Sequence, residues 1–143
     1  MNPCGRGLNN SLNIEEETKN RDQREIALAA AKALDDKRGK DIVALKVDEM
    51  TVITDYMVIA SGRSVPQVKA LAEQVEEELA KHDVFARRRE GISEGRWCVL
   101  DYGDVMVHIF HEQDREYYQL ERLWSNGTNE IELAFDADEK SEE

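Results

Sequence analysis

Hydrophobic positions change their spacing several times along the chain, and each spacing predicts one element. Residues 22–40, DQREIALAAAKALDDKRGK, repeat apolar residues every three to four positions, which is typical of one face of a helix. Residues 64–83, SVPQVKALAEQVEEELAKHD, show the same period, and Ser64 followed by Gln67 matches a helix N-terminal capping box. Residues 113–124, QDREYYQLERLW, predict a closing helix.

Shorter apolar runs between these segments predict strands. They are DIVALKVD at 41–48, DYMVIASG at 55–62, VFARRREG at 84–91 and a hairpin, RWCVLDYGDVMVHIF, at 96–110 that turns at Gly103 and Asp104. The resulting order, α-β-β-α-β-β-β-α, predicts an α/β fold with a mixed β-sheet and helices packed mainly on one face.

Strand alternation assigns the hairpin residues to two faces, because residues paired across an antiparallel ladder point the same way. One face is apolar throughout and is predicted to lie under the helices. It contains Cys98, Leu100 and Tyr102 opposite Ile109, Val107 and Val105. The other face is mixed, with Trp97, Val99 and Asp101 opposite Phe110, His108 and Met106. Residues on the mixed face are either a contact surface or core covered by the tails or the first helix, and the residues alone leave both open.

Composition at the two ends predicts a domain at 22–125 between a flexible N-terminal tail, 1–21, and an acidic C-terminal tail, 126–143. The C-terminal tail opens with the turn signal Asn126-Gly127, and we expect little packed structure beyond Trp124. The alternating residues Ile131, Leu133 and Phe135 leave open a short edge strand or a docking segment. Neither cysteine fits a zinc pattern, which favours free thiols in a reducing cytoplasm. We expect no membrane span and no signal peptide.

A net charge of −12 makes nucleic acid a poor direct partner, because an acidic surface repels phosphates. The run Arg87 to Arg89 is the one basic cluster and is typical of solvated surface.

Two aspartates and two histidines within DYGDVMVHIFH, residues 101–111, raise the question of a metal or acid–base site. Asp101 and His108 share a face, but Asp104 lies in the turn and His111 has the opposite phase. A metal needs three or four ligands that converge on one point, so this interpretation is disfavoured. We expect no metal and no cofactor.

Three motifs together, ITDYMVIASGRSVPQVKALAEQV, WCVLDYGDVMVHIFH and REYYQLERLW, closely resemble the ribosomal silencing factor family, also called Iojap. The resemblance covers roughly residues 22–125. It implies a nucleotidyltransferase-like fold without enzymatic activity, because the paired metal-binding acids of those enzymes are replaced by Asp101 and Asp104 across a turn. A metal-dependent nucleotidyltransferase-like enzyme using Asp101, Asp104 and His108 is the alternative.

The resemblance also implies partners and a contact region. Family members bind the large ribosomal subunit through ribosomal protein L fourteen, prevent joining of the small subunit and repress translation when nutrients are scarce. They also form homodimers. Carried onto this sequence, the partner-binding residues are expected to be Trp97, Val99, Asp101, Tyr102, Gly103, Asp104, Met106 and His108, together with Tyr56 from the neighbouring strand.

Overall fold

Five strands form one mixed sheet in the computed structural model, which describes residues 22–135. This confirms the α/β fold predicted from the periodicities. The elements in chain order are α1 (residues 22–36), β1 (Lys40–Lys46), β2 (Tyr56–Gly62), α2 (Val65–Lys81), β3 (Arg88–Glu90), β4 (Trp97–Asp101), β5 (Val105–His111), α3 (Glu112–Tyr118) and α4 (Leu120–Trp124). No helix in this described range is both long and apolar enough to cross a bilayer.

The strands lie in the order β1-β2-β5-β4-β3, and only β2 and β5 pair in parallel. A parallel pair needs a crossover, which α2 and the β3–β4 pair supply here. Because β2 and β5 start at the same end of the sheet, the β1–β2 loop (residues 47–55) and the β4–β5 turn (residues 102–104) lie side by side. We call this end of the sheet the turn end.

Helix α2 starts where the capping signal places it. The Ser64 side chain accepts a hydrogen bond from the Gln67 backbone N–H at 3.2 Å, and the Gln67 side chain accepts one from the Arg63 N–H at 2.6 Å. These bonds satisfy donors that the first helical turn leaves free. The buried positions of α2 form one stripe, which consists of Val68, Leu71, Ala72, Val75 and Leu79.

Apolar side chains pack on both faces of the sheet. The larger cluster lies under α1 and α2 and includes Leu34, Val58, Leu71, Leu100 and Ile109. A smaller cluster on the opposite face consists of Leu45, Val47, Met57, Ile59 and Phe110, with Val43, Trp97, Leu120 and Trp124 packed against it. The α4 helix therefore contributes Leu120 and Trp124 to the face that α1 and α2 leave open.

Residues 129–133 correct the expectation of little packed structure beyond Trp124. The N–H of Lys46 donates to the carbonyl of Asn129 at 2.9 Å, and the N–H of Ile131 donates to the carbonyl of Ala44 at 2.8 Å. Ile131 and Leu133 are buried in the larger cluster. This segment thus covers the outer edge of β1, a position where unpaired backbone groups would otherwise be exposed. Residues 1–21, the whole predicted N-terminal tail, and 136–143, the end of the predicted C-terminal tail, lie outside the described residues.

The predicted closing helix is divided in two at Gln119, which has a left-handed φ of 48°. The break changes the direction of the apolar stripe. Leu120 and Trp124 pack on the sheet, whereas Tyr117 and Leu123, which one continuous helix was expected to place on the same side, are exposed. Strand β3 is also shorter than predicted, since only Arg88–Glu90 pair with β4.

Candidate functional site

The β4–β5 hairpin has the register that alternation predicts. Trp97 lies opposite Phe110, Val99 opposite His108 and Asp101 opposite Met106. The N–H of Tyr102 donates to the carbonyl of Val105 at 2.9 Å and closes the turn. The mixed face therefore exists as expected. We call its six residues, Trp97, Val99, Asp101, Met106, His108 and Phe110, the hairpin face.

Exposure divides the hairpin face into two parts. Trp97, Val99, Asp101 and Met106 are half-buried, while Phe110 is fully buried and His108 is only 6 % exposed. The smaller cluster, with Leu120 and Trp124 of α4, occupies the side of this face nearest β1 and β2. What stays accessible is the part on and beside β4.

Two expected contact residues are not on the accessible surface. His108 is buried, which corrects the expectation that it is a neighbour on an exposed face. Tyr56 pairs with Val105 across the parallel strands, as expected for a neighbouring strand, but its side chain is 3 % exposed within the larger cluster. Both positions were assigned from strand order, which does not show what packs above a side chain.

Trp97 lies at the centre of an aromatic group. Its ring centroid is 4.8 Å from that of Phe110, in a stacked arrangement, and 4.8 Å from that of Tyr118. The indole N–H donates to Nδ1 of His108 at 3.1 Å. Since the only polar group of the Trp97 side chain is already hydrogen-bonded, the accessible part of this side chain is apolar ring.

His108 is held neutral by its surroundings. Burial lowers the pKa of its imidazole from 6.5 to about 4, because the charged form loses its hydration. Nδ1 accepts the Trp97 N–H, so the proton of the neutral ring lies on Nε2. Nε2 has no hydrogen-bond partner among the described residues. A neutral, buried imidazole whose Nδ1 is already hydrogen-bonded is better suited to holding the Trp97 side chain in place than to acid–base chemistry.

The β4–β5 turn is tied to its surroundings at three points. The Asp101 carboxylate accepts the Gly103 N–H at 2.8 Å and lies 3.6 Å from Nε of Arg88. Gly103 has φ +88°, and a Cβ there would lie 2.6 Å from Nη1 of Arg87. The Asp104 carbonyl accepts two N–H groups from the start of β2, each at 3.0 Å. The turn is therefore a fixed, partly acidic surface at the turn end.

Tyr102 points away from the hairpin face. Its ring packs against the larger cluster, and burial raises the pKa of its hydroxyl to about 12. Its buried oxygen has no partner in the part of the chain that the structure describes. Tyr102 therefore lies on the opposite side of the hairpin from Trp97.

The metal interpretation gains no support from the geometry. Within residues 22–135, no three histidine, cysteine, aspartate or glutamate side chains are close enough together to hold a metal ion. A cleft of about 630 Å³ lies at the other end of the sheet from the turn end. Two ion pairs line it, with Arg115 3.2 Å from Glu121 and Lys40 3.1 Å from Glu112.

Sequence reasoning missed two features of this region. The first is the contact between Tyr118 and Trp97. A single continuous helix gave no reason to distinguish Tyr118 from the residues around it. Val52 and Ile53 in the β1–β2 loop are 103 % and 70 % exposed, beside the turn. Two adjacent β-branched residues inside a polar break were the available signal for the second feature.

The fold and the hairpin face define a small α/β domain that presents aromatic and acidic groups beside β4. The chain belongs to the ribosomal silencing factor family, because the sequence model of that family, described as "Ribosomal silencing factor during starvation", matches residues 20–143. It is 40 % identical over 104 residues to the ribosomal silencing factor RsfS of Bacillus subtilis, which covers 73 % of this chain and 88 % of that protein.

Other relatives extend this likeness. The chloroplastic protein Iojap of Zea mays is 34 % identical over 112 residues, which cover 78 % of this chain and 48 % of that protein. A crystal structure from Chromobacterium violaceum superimposes with a TM-score of 0.69 at 37 % identity and covers 78 % of this chain and 94 % of that chain. A Bacillus halodurans structure gives a TM-score of 0.68 at 35 % identity, over 77 % of this chain and 99 % of that chain.

Proposed function

We propose that this chain binds the large ribosomal subunit through ribosomal protein L fourteen and sterically blocks joining of the small subunit. It thereby represses translation in the cytoplasm under nutrient limitation. Family membership supports a ribosome-directed role, and the description of the family model includes starvation. The proposal involves no catalysis, in keeping with the naming of its relatives as silencing factors.

The observation that carries the proposal is the half-buried group formed by Trp97, Val99, Met106 and Asp101 beside β4. A tryptophan that packs within an aromatic group and stays partly accessible is a typical anchor in protein interfaces. Its neighbours are apolar along the strands and acidic toward the turn. A stable interface removes about 800 Å² from each partner, so the contact is expected to extend from these residues along the hairpin to its rim.

Charge favours a basic protein surface as the partner. The net charge of −12 repels the phosphates of ribosomal RNA, while Asp101 and Asp104 attract lysine and arginine side chains. Docking is thus directed to protein surface between RNA segments. A domain bound at the face where two subunits meet excludes the second subunit by overlap, so binding alone suffices for silencing.

The direct test is binding of Trp97→Ala to purified large subunits by co-sedimentation at increasing concentrations. We expect a loss of at least about 2 kcal/mol, or roughly 30-fold in affinity, as for central aromatic anchors. In a subunit-joining assay the native protein in excess should keep the two subunits apart, and the variant should do so poorly.

Trp97 also stacks on Phe110, so folding has to be followed in parallel by circular dichroism and thermal unfolding. Trp97→Phe retains an aromatic ring for this stacking and serves as the second variant. Native affinity in a folded Trp97→Ala protein, or normal subunit joining with the native protein in excess, would contradict the proposal. A homodimer that uses the same hairpin face would appear as self-association that the ribosomal protein displaces, which sedimentation at several concentrations measures.

A further inference from the structure

The β1–β2 loop exposes apolar side chains that neither sheet face nor helix covers. Val52 is 103 % exposed and Ile53 70 %, and Met50 beside them is 39 % exposed. Neighbouring apolar residues held in solvent mark contact sites more often than single ones do. The hairpin face does not include this loop, so the proposed docking surface leaves these residues unexplained.

The backbone holds this loop in place. The Val47 N–H donates to the Asp55 carbonyl at 2.8 Å, and the Val47 carbonyl accepts the N–H groups of Met50 and Thr51 at 2.9 and 3.1 Å. The Thr51 hydroxyl accepts the Ile53 N–H at 3.1 Å. An apolar tip that is already ordered loses less conformational freedom on binding than a flexible one.

The loop is joined directly to the β4–β5 turn. The N–H groups of Asp55 and Tyr56 both donate to the carbonyl of Asp104 at 3.0 Å. The exposed pair Val52–Ile53 is therefore only a few residues from this turn along a hydrogen-bonded path. A partner that covers the hairpin from Trp97 to the turn reaches the loop if it extends past the turn end.

Charge around the loop matches the chemistry of that same partner. Asp48 and Glu49 are exposed next to the apolar tip. The sequence contains no lysine or arginine between Lys46 and Arg63. An apolar tip flanked by acids fits an apolar depression bordered by basic side chains, and it is repelled by nucleic acid.

We propose that the β1–β2 loop is a second anchor for the same basic ribosomal protein, with Val52 and Ile53 buried against it. The inference rests on the proposed function, since the hairpin face and the loop then form one continuous docking surface. Binding is shared between two apolar contacts, Trp97 beside β4 and the Val52–Ile53 pair at the turn end.

The test compares the double variant Val52→Ser/Ile53→Ser with the native chain and Trp97→Ala. Leu123→Ser is the matched control, because Leu123 on α4 is 69 % exposed, close to the value for Ile53. Affinity is measured against purified large subunits and against the isolated ribosomal protein. We expect the loop variant to bind at least tenfold more weakly in both cases and the control to bind like the native chain.

Thermal unfolding accompanies each measurement. Exposed side chains add little to stability, so the loop variant should melt at the same temperature as the native chain. If it melts at a lower temperature, Val52→Thr/Ile53→Thr is used instead, because threonine preserves the β-branching of both residues. Sedimentation of each variant alone records self-association. A tenfold loss with unchanged folding and self-association supports the second anchor.

The remaining outcomes separate the two proposals. If the native chain does not bind large subunits, the proposed function fails. If Trp97→Ala weakens binding but the folded loop variant keeps native affinity, only the second anchor fails. A loop variant that changes self-association alone would assign Val52 and Ile53 to contact with a second copy. Weaker binding to whole subunits with unchanged binding to the isolated ribosomal protein would assign them to another component, and either result overturns the inference.

Discussion

Acid should destabilise this protein through one buried histidine. Because burial lowers the pKa of His108 to about 4 in the folded chain, against about 6.5 when unfolded, the unfolded state binds the proton more readily between those values. The contribution of His108 to stability is therefore complete above about pH 6.5 and is lost as the pH falls toward 4. The full shift corresponds to roughly 3 kcal/mol.

The measurement is urea unfolding at several pH values. From about pH 6.5 to about pH 4.5, His108 accounts for a loss of about 2 kcal/mol in the free energy of unfolding. Carboxylates also titrate at the acid end, so the comparison is with His108→Gln, whose amide is polar, of similar size and does not titrate. The difference between the two proteins isolates the imidazole.

A second readout concerns the position of the proton. Nitrogen-15 chemical shifts of the imidazole should show Nε2 protonated and Nδ1 unprotonated at neutral pH, because Nδ1 accepts from the Trp97 indole at 3.1 Å. Parallel stability curves for native and His108→Gln protein, or a proton on Nδ1, would refute the reasoning. A proton on Nδ1 would also exclude the hydrogen bond that orients Trp97.

Three further predictions concern the turn, the last segment and one glycine. Replacing Asp101 and Asp104 with lysine should slow association with large subunits and reduce its salt dependence in stopped-flow mixing, whereas native rates that do not change with salt would exclude steering. Leu133→Ala should lower the free energy of unfolding by about 2 kcal/mol or more, since Leu133 is buried, with the exposed Glu132→Ala as the neutral control. Gly91→Ala should destabilise by at least about 2 kcal/mol in chemical denaturation, because Gly91 has φ +75° and the new Cβ would lie 1.9 Å from a carbonyl oxygen of β4. A Gly91→Ala protein as stable as the native chain would mean that the backbone at residue 91 can move away from β4 at little cost in free energy.

Local periodicity was sufficient to predict that five strands exist, to predict helices α1 and α2, and to assign both faces of the hairpin. A two-residue alternation fixes which side chains share a face, and a capping pair fixes where α2 starts. It does not determine what lies above each face. The burial of His108 and Tyr56 depends on packing between elements distant in sequence, which is why both were expected at the surface.

Two elements were wrong for related physical reasons. The predicted closing helix ignored the left-handed Gln119, because glutamine is an ordinary helix former and gives no sign of a break. The segment around Ile131 and Leu133 was expected to contain little packed structure, because it follows an Asn-Gly turn and lies among acidic residues. Its alternation was the correct signal, and the unpaired edge of β1 supplied the partner that the sequence does not reveal.

The extent of the hairpin face that stays accessible is set by Arg115. This side chain is only 8 % exposed, and a buried guanidinium requires several partners. It donates to the Ser61 hydroxyl on β2 at 3.0 Å and pairs with Glu121 of α4 at 3.2 Å. These contacts fix α4 above β1 and β2, where Leu120 and Trp124 pack. The ring of Trp97 stays partly accessible because the covering helix is held on the other half of the sheet, so the same interaction that completes the fold also limits the proposed docking surface.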